Sequence, residues 1–194
     1  MKKILIILAG FLFSCKNIQQ QEITKESEPQ LSKLEQLKKH RSDIPLDYIG
    51  LSNENLTEMP YLGDYTIKSL NLSHNQIDKL IWAFLPKGIQ KLDMSYNSLT
   101  IIRGYKNIDY PMKELNVANN NITYISSYSP ITRLIATNNN IEEIRFNIQN
   151  TTYLDILNNP NFNYNVYFDP NEIDTLLSDK PLKIIKPPRI EFID

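Results

Sequence analysis

The chain contains few of the residues that build phosphate-binding loops, zinc sites and disulfide frameworks. Its 194 residues include only 5 glycines, 2 histidines and 1 cysteine. So little glycine argues against a glycine-rich phosphate loop. So few cysteines and histidines exclude a Cys/His zinc site, a disulfide framework and a Cys–His catalytic pair within the folded domain. The net charge of −1 gives no overall field that would recruit nucleic acid. We therefore expect one domain without a metal, a cofactor or a nucleic-acid partner.

The chain also lacks an apolar run long enough to span a membrane as a helix, which takes about 20 residues. The longest run covers 4–13, after two lysines and before Ser14 and Cys15. A charged start, a short apolar run and a small residue are typical of a secretory signal. The ending Leu12-Phe13-Ser14-Cys15 resembles the lipobox of bacterial lipoproteins. The resemblance implies cleavage before Cys15 and a diacylglycerol, with palmitate-type acyl chains, on its sulfur. An ordinary secretion signal with an incidental cysteine remains the alternative.

The lipobox resemblance also implies where the protein resides. Each buried CH₂ of an acyl chain contributes about 0.8 kcal/mol, so two or three chains would hold the protein to a membrane. In this family an Asp after the cysteine resembles an inner-membrane retention signal, so Lys16 favours the outer membrane. Surface and periplasmic orientations both stay open. We predict a signal peptide at 1–14 and, because the next stretch is polar and without pattern, a flexible tether at 15–29.

Asparagine and isoleucine are overused, with 22 and 27 residues, and an internal repeat explains part of this. The repeat has the form Leu-x-x-Leu-x-Leu-x-x-Asn-x-Leu, and its copies follow one another at spacings of 21, 22, 23, 19 and 20 residues. This form resembles the leucine-rich repeat family over about residues 46–162. The segments that run from the second leucine to the asparagine begin at Ile49, Leu70, Leu92, Leu115, Leu134 and Leu154.

The repeat predicts a solenoid of stacked coils, because one coil cannot bury its own apolar face. Alternation at the leucines predicts one strand per coil, paired in parallel. We expect an α/β-type solenoid, a short arc of about six repeats with its strands on the concave face. The apolar residues after the asparagine close the coil, and a variable remainder forms the convex side. The recurring asparagine can satisfy the buried backbone of the turn as a ladder formed by Asn75, Asn97, Asn120, Asn139 and Asn159.

The flanks are predicted to cap the open ends of the solenoid. Residues 30–45 place Leu31, Leu34 and Leu37 on one face of an N-terminal cap helix. The basic residues 38–41 suit the last turn of that helix, although a membrane-binding patch is the alternative. Residues 163–194 are predicted as an irregular C-terminal cap. In it, a short helix begins at Asp169-Pro170 and runs to about Asp179, with Ile173, Leu176 and Leu177 facing inward.

Catalytic chemistry finds little support in this sequence. Some bacterial proteins with such repeats are ubiquitin ligases with a catalytic cysteine, but Cys15 lies in the signal junction. His74 follows Ser73 and is near Ser95 in the repeat alignment, which would suit a serine hydrolase. Those serines, however, occupy one repeated position, and no second histidine is placed to help. We therefore expect a protein that is not an enzyme and has no small-molecule substrate.

The resemblance implies that outward-facing strand positions line a concave face that binds another protein. The N-terminal coils carry small polar residues there, whereas the C-terminal coils combine aromatic, guanidinium and aliphatic side chains typical of interfaces. Two alternatives stay open. The C-terminal cap could fold over this face, or the protein could be a self-associating structural component of the cell envelope. The predicted partner-binding residues are Tyr96, Arg133, Ile135, Tyr153 and Leu157.

Overall fold

The computed structural model describes residues 31–104, 112–127, 131–146, 151–166 and 170–184. The predicted signal peptide and tether, with Cys15, lie outside the described residues. Among those that are described, no helix has the length and apolar character needed to cross a membrane.

Short strands dominate the described residues. The longest have five residues, as the repeat predicts for one strand per coil. In chain order they are β1 (Leu46–Gly50), β2 (Ile67–Asn71), β3 (Lys91–Asp93), β4 (Ile101–Arg103), β5 (Met112–Asn116), β6 (Tyr124–Ser127), β7 (Ile131–Ile135), β8 (Glu143–Phe146), β9 (Tyr153–Asp155), β10 (Asn165–Val166), β11 (Thr175–Leu177) and β12 (Lys183–Ile184).

A seven-stranded parallel sheet, in the order β1-β2-β3-β5-β7-β9-β11, takes one strand from each coil and is called the large sheet below. Its register pairs the second leucine position of each repeat with that of the next, for example Leu70 with Leu92 and Leu134 with Leu154. The predicted solenoid fold is therefore confirmed.

Helical content is low in the part of the chain that the structure describes. It consists of α1 (Lys33–Lys38) and two 3₁₀ turns, Trp82–Phe84 and Pro170–Glu172.

The core runs through the coils as one continuous apolar cluster. Each coil contributes the two leucine positions of its strand and the apolar residue two positions after the asparagine. In the second to fifth coils these are Leu70, Leu72 and Ile77, then Leu92, Met94 and Leu99, then Leu115, Val117 and Ile122, then Leu134, Ala136 and Ile141, all of them buried.

A second parallel sheet, in the order β4-β6-β8, lies at the apolar residues that the repeat pattern predicted to close each coil, where no strand was predicted. Each of its strands carries the second apolar residue after the asparagine, namely Ile102, Ile125 or Ile144, and all three are buried. In the register of this sheet, Ile102 is paired with Ile125, and Ile125 is paired with Ile144. These segments are extended because the neighbouring coils supply their hydrogen-bond partners, which no local pattern reveals.

The N-terminal cap is a short helix attached to the first coil. Ser32 and Glu35 form a capping box at the start of α1, and Leu37 is buried. Leu31, predicted to share a helix face with Leu37, precedes α1 and is exposed. Glu54, which stands where later repeats have the ladder asparagine, accepts a hydrogen bond from the Lys33 amide at 3.0 Å. Its carboxylate also lies 3.3 Å from Lys33 Nζ. Glu54, the residue that departs from the repeat, therefore holds the cap helix to the first coil.

The predicted C-terminal helix up to Asp179 is wrong. A single 3₁₀ turn, Pro170–Glu172, is followed by β11, which adds a seventh strand to the large sheet. Leu176 stands 22 residues after Leu154 and pairs with it, so the residues predicted as a cap include a further coil. The free edge of β9 offers backbone partners along the whole strand, and this pairing prevails over the local helix signal.

Candidate functional site

The side chains between the inward-facing leucines of the large sheet form its outer face, arranged in two columns by the strand register. The first column holds Tyr48, Ser69, Lys91, Glu114, Arg133, Tyr153 and Thr175. The second column holds Gly50, Asn71, Asp93, Asn116, Ile135, Asp155 and Leu177. These residues are half-buried or exposed, in contrast to the leucines between them, which are buried in the strands from β2 to β9.

Most of the second column has a structural role that the sequence analysis missed. In four coils its Asn or Asp accepts a hydrogen bond at Oδ1 from the backbone amide two residues later, at 2.8–3.2 Å. Such an Asx turn ends the strand and fixes the side chain. The sequence feature that could have revealed these Asx turns is the Asn or Asp that recurs in these coils, two residues before the backbone amide that it binds. Ile135 breaks this column, because an aliphatic side chain cannot accept the bond.

The residue just before each ladder asparagine, and before Glu54 at the same position of the first coil, adopts a left-handed backbone conformation, with φ of 54–58°. Asparagine tolerates this region better than most residues, which gives the abundance of asparagine a further cause that the sequence analysis missed. The residues are Asn53, His74, Tyr96, Asn119, Asn138 and Asn158. The His74 and Tyr96 rings stack at 4.3 Å with an interplanar angle of 9°.

The five ladder asparagines each join two coils through backbone groups. Asn120 is representative: its Oδ1 accepts a hydrogen bond from Leu99 N at 2.9 Å in the preceding coil. Its Nδ2 donates to Met94 O in that coil and to Val117 O in its own, both at 3.0 Å. The side chains thus hold the turns of neighbouring coils together. The same arrangement occurs at Asn75, Asn97, Asn139 and Asn159.

Two of the predicted partner-binding residues contact each other on the outer face. The guanidinium of Arg133 lies 3.4 Å from the centroid of the Tyr153 ring, across the β7–β9 pair. On its other side Arg133 Nε is 3.7 Å from Glu114 Oε2, and the arginine side chain keeps 38% of its surface exposed. Ile135 stands two residues further along the same strand and is half-buried. These contacts fix the arginine between an aromatic ring and a carboxylate.

The other two predicted residues lie elsewhere. Tyr96 belongs to the third coil, at the turn after β3, and β5 separates its coil from that of Arg133. It is 51% exposed and stacks on His74. Leu157 follows β9 and is half-buried, although it was predicted to be exposed. The structure therefore brings together Arg133, Tyr153 and Ile135, and places Tyr96 apart from them.

The polar groups considered for catalysis have structural partners. Ser95 Oγ donates to Asp93 Oδ1 at 2.7 Å, and His74 stacks on Tyr96. Across the described ranges no three Asp, Glu, His or Cys side chains are grouped so that they could hold a metal ion.

The ionisable groups with shifted pKa values lie in the cap and the first two coils. The hydrogen bond between Lys68 Nζ and Asp47 Oδ1, at 2.8 Å, lowers the pKa of Asp47 and raises that of Lys68. The hydrogen bond from Arg41 lowers the pKa of Asp43 in the same way. Both pairs are exposed, so they contribute little to stability.

Comparison with protein families gives a match to a repeat family. The family model described as Leucine Rich repeat matches residues 66–79, which include β2 and the ladder residue Asn75. The match and the solenoid support a leucine-rich repeat domain. Neither the comparison with curated proteins nor that with solved structures gave a match. Leucine-rich repeats indicate a capacity to bind proteins.

Proposed function

We propose that this protein is a lipid-anchored binding module and not an enzyme. Its leucine-rich repeat domain binds another protein through the outer face of the large sheet, and a lipid on Cys15 holds it at the bacterial outer membrane. It needs no cofactor and acts on no small-molecule substrate. The anchor rests on the lipobox-like ending Leu12 to Cys15 and on the position of the chain's single cysteine at that junction.

The observation that carries the binding proposal is the stacked pair of Arg133 and Tyr153. Arginine and tyrosine are enriched among the residues that dominate binding energy at protein interfaces. Stacking at 3.4 Å holds the guanidinium in place before a partner arrives, which lowers the conformational entropy lost on binding. Ile135 adds an aliphatic group at a position where four other coils have an Asx turn. Together they form a compact, ordered patch.

A capture experiment tests this proposal. Full-length protein is incubated with an envelope extract of its own organism, and proteins retained by wild type and by Arg133→Ala/Tyr153→Ala are compared. We expect at least one protein to be retained by wild type and lost with the double variant, while the melting temperature stays within a few degrees. A matched control is Lys79→Ala/Tyr61→Ala, which removes one cation and one exposed ring elsewhere.

Two results would contradict the proposal. Equal retention by wild type and the Arg133/Tyr153 variant would remove the patch from the binding site. Loss of retention with both double variants would show that capture depends on overall surface charge or hydrophobicity.

A further inference from the structure

A small hollow lies on the outer face near its N-terminal edge, across β1, β2 and β3. It has a volume of about 170 Å³. The hollow exists because short residues stand between long ones: Ser69 separates Tyr48 from Lys91 in the first column, and Gly50 begins the second column. Its polar lining comes from Ser69, Asn71, Lys91, Asp93 and Glu114, and Tyr48 forms one wall.

The Tyr48 ring leans along β1 over Gly50. A Cβ atom at position 50 would lie 2.8 Å from Tyr48 Oη, closer than real Cβ contacts allow, and 3.2 Å from Cε1. Glycine therefore lets the ring lie against the strand, and 58% of Tyr48 nevertheless remains exposed. The result is an aromatic platform beside the hollow.

Polar side chains of the hollow are fixed by hydrogen bonds, and some of their donors and acceptors stay available to a ligand. Asn71 Oδ1 accepts from Ser73 N, and Asp93 Oδ1 accepts from Ser95 N, each at 2.8 Å. These Asx turns fix both side chains, while Asn71 Nδ2 remains a donor and Asp93 Oδ2 an acceptor. Within the described part of the chain, Lys91 forms no ion pair.

We propose that this hollow binds one neutral sugar ring of a glycan. Each sugar hydroxyl can donate and accept, which suits a lining of amide, carboxylate, ammonium and hydroxyl groups. The C–H face of the ring can pack on Tyr48, because the face of an aromatic ring is its negative side. A purely anionic ligand would meet Asp93 and Glu114, and a cation would meet Lys91. An apolar side chain would desolvate these groups without giving hydrogen bonds in return.

The hollow is distinct from the Arg133–Tyr153 pair, although Glu114 borders both. The variants that test one site leave the side chains of the other unchanged. Failure of the sugar proposal therefore leaves the proposed protein binding standing, and the reverse also holds.

Saturation-transfer NMR on the full-length chain tests the proposal with the methyl glycosides of glucose, galactose, mannose and N-acetylglucosamine. We expect at least one of them to receive saturation, with millimolar or tighter affinity. Tyr48→Ala should weaken that binding by about tenfold, the loss expected for one aromatic contact. Gly50→Ala should weaken it as well, because the methyl group displaces the Tyr48 ring without removing it.

The matched control is Tyr61→Ala, because Tyr61 is also exposed and leans over a glycine, Gly63, but does not line the hollow. Asp93→Asn should reduce binding while keeping the Asx turn, since an asparagine oxygen can accept the same bond. Three results would overturn the proposal: no saturation of any glycoside, equal weakening by Tyr61→Ala and Tyr48→Ala, or binding of a hexaglutamate peptide in place of sugars.

Discussion

Three consecutive asparagines occupy three different environments in one turn. Asn119 has a left-handed backbone with φ of 56° and accepts a side-chain hydrogen bond from Asn138. Asn120 points inward and bonds to the backbone of two coils. Asn121 is exposed. One residue type thus stabilises the turn in two separate ways, through backbone conformation and through buried hydrogen bonds.

Replacing Asn120 by Leu should strongly destabilise the domain. The substitution leaves Leu99 N without its acceptor inside the coil. It also removes one hydrogen bond each from Met94 O and Val117 O, which keep those from Asn97 and Asn139. A buried group without its hydrogen bond costs about 1–3 kcal/mol. We therefore expect the free energy of unfolding, measured by urea denaturation, to fall by about 1–3 kcal/mol.

Asn121→Leu is the matched control, because it makes the same change one residue later on an exposed side chain. It should alter the free energy of unfolding by about 0.5 kcal/mol or less. Similar losses for the two variants would mean that the assigned register of the ladder is incorrect.

At the scale of the element, strands that contain the repeat's leucines follow from the sequence, whereas strands defined by pairing do not. Alternation predicts β2 and β5, and the spacing of the repeats predicts which of their residues are neighbours. The second sheet and β11 form because partners about 20 residues away offer backbone groups. The local sequence does not predict this pairing, and at β11 the residues around Pro170 favour a helix instead.

Hydrogen exchange distinguishes the strand β11 from the predicted helix. Thr175 N donates to Thr152 O at 2.9 Å, whereas the amide of Leu176 points to the open edge of the sheet, as alternation in an edge strand requires. In amide exchange followed by NMR, we expect Thr175 to exchange about tenfold more slowly than Leu176, or slower still. Uniform protection from 174 to 177 would instead indicate a helix.

The placement of the candidate residues was predicted in part, because strand register follows from the repeat whereas side-chain contacts do not. Strand register, which the repeat reveals, correctly placed Arg133 next to Tyr153. The stacking of the two side chains and the separate pairing of Tyr96 with His74 depend on rotamers and turn conformation. The Asx turns were missed because Asn and Asp at outward positions suit both a binding surface and a strand end.

At the scale of the whole molecule, the proposed anchor and the proposed binding face make separate demands on the chain. A lipid on Cys15 would keep the domain near a membrane without using any residue of the large sheet. The polar stretch at 15–29 would then set how far the domain reaches from that surface.

Substituting the anchor cysteine should change where the protein resides and leave the fold intact. We expect wild type to partition into the detergent phase and to incorporate labelled palmitate in cells of its own organism. Cys15→Ser should lose the label and remain uncleaved or become soluble, because serine has no thiol to carry the diacylglycerol. Ser14→Ala, which keeps a small residue at the cleavage junction, serves as the control and should retain the label. Equal solubility and equal absence of label in wild type and Cys15→Ser would exclude the lipid anchor.

Photo-crosslinking in intact cells tests the binding face most directly. A photoreactive phenylalanine analogue is placed at Ile135, beside the Arg133–Tyr153 pair, or at Lys79, an exposed position outside the two columns of the large sheet. We expect a discrete adduct with another protein from position 135 and none from position 79. Adducts of equal yield from both positions, or an adduct from position 135 with twice the mass of this chain alone, would contradict binding of a different protein through this face.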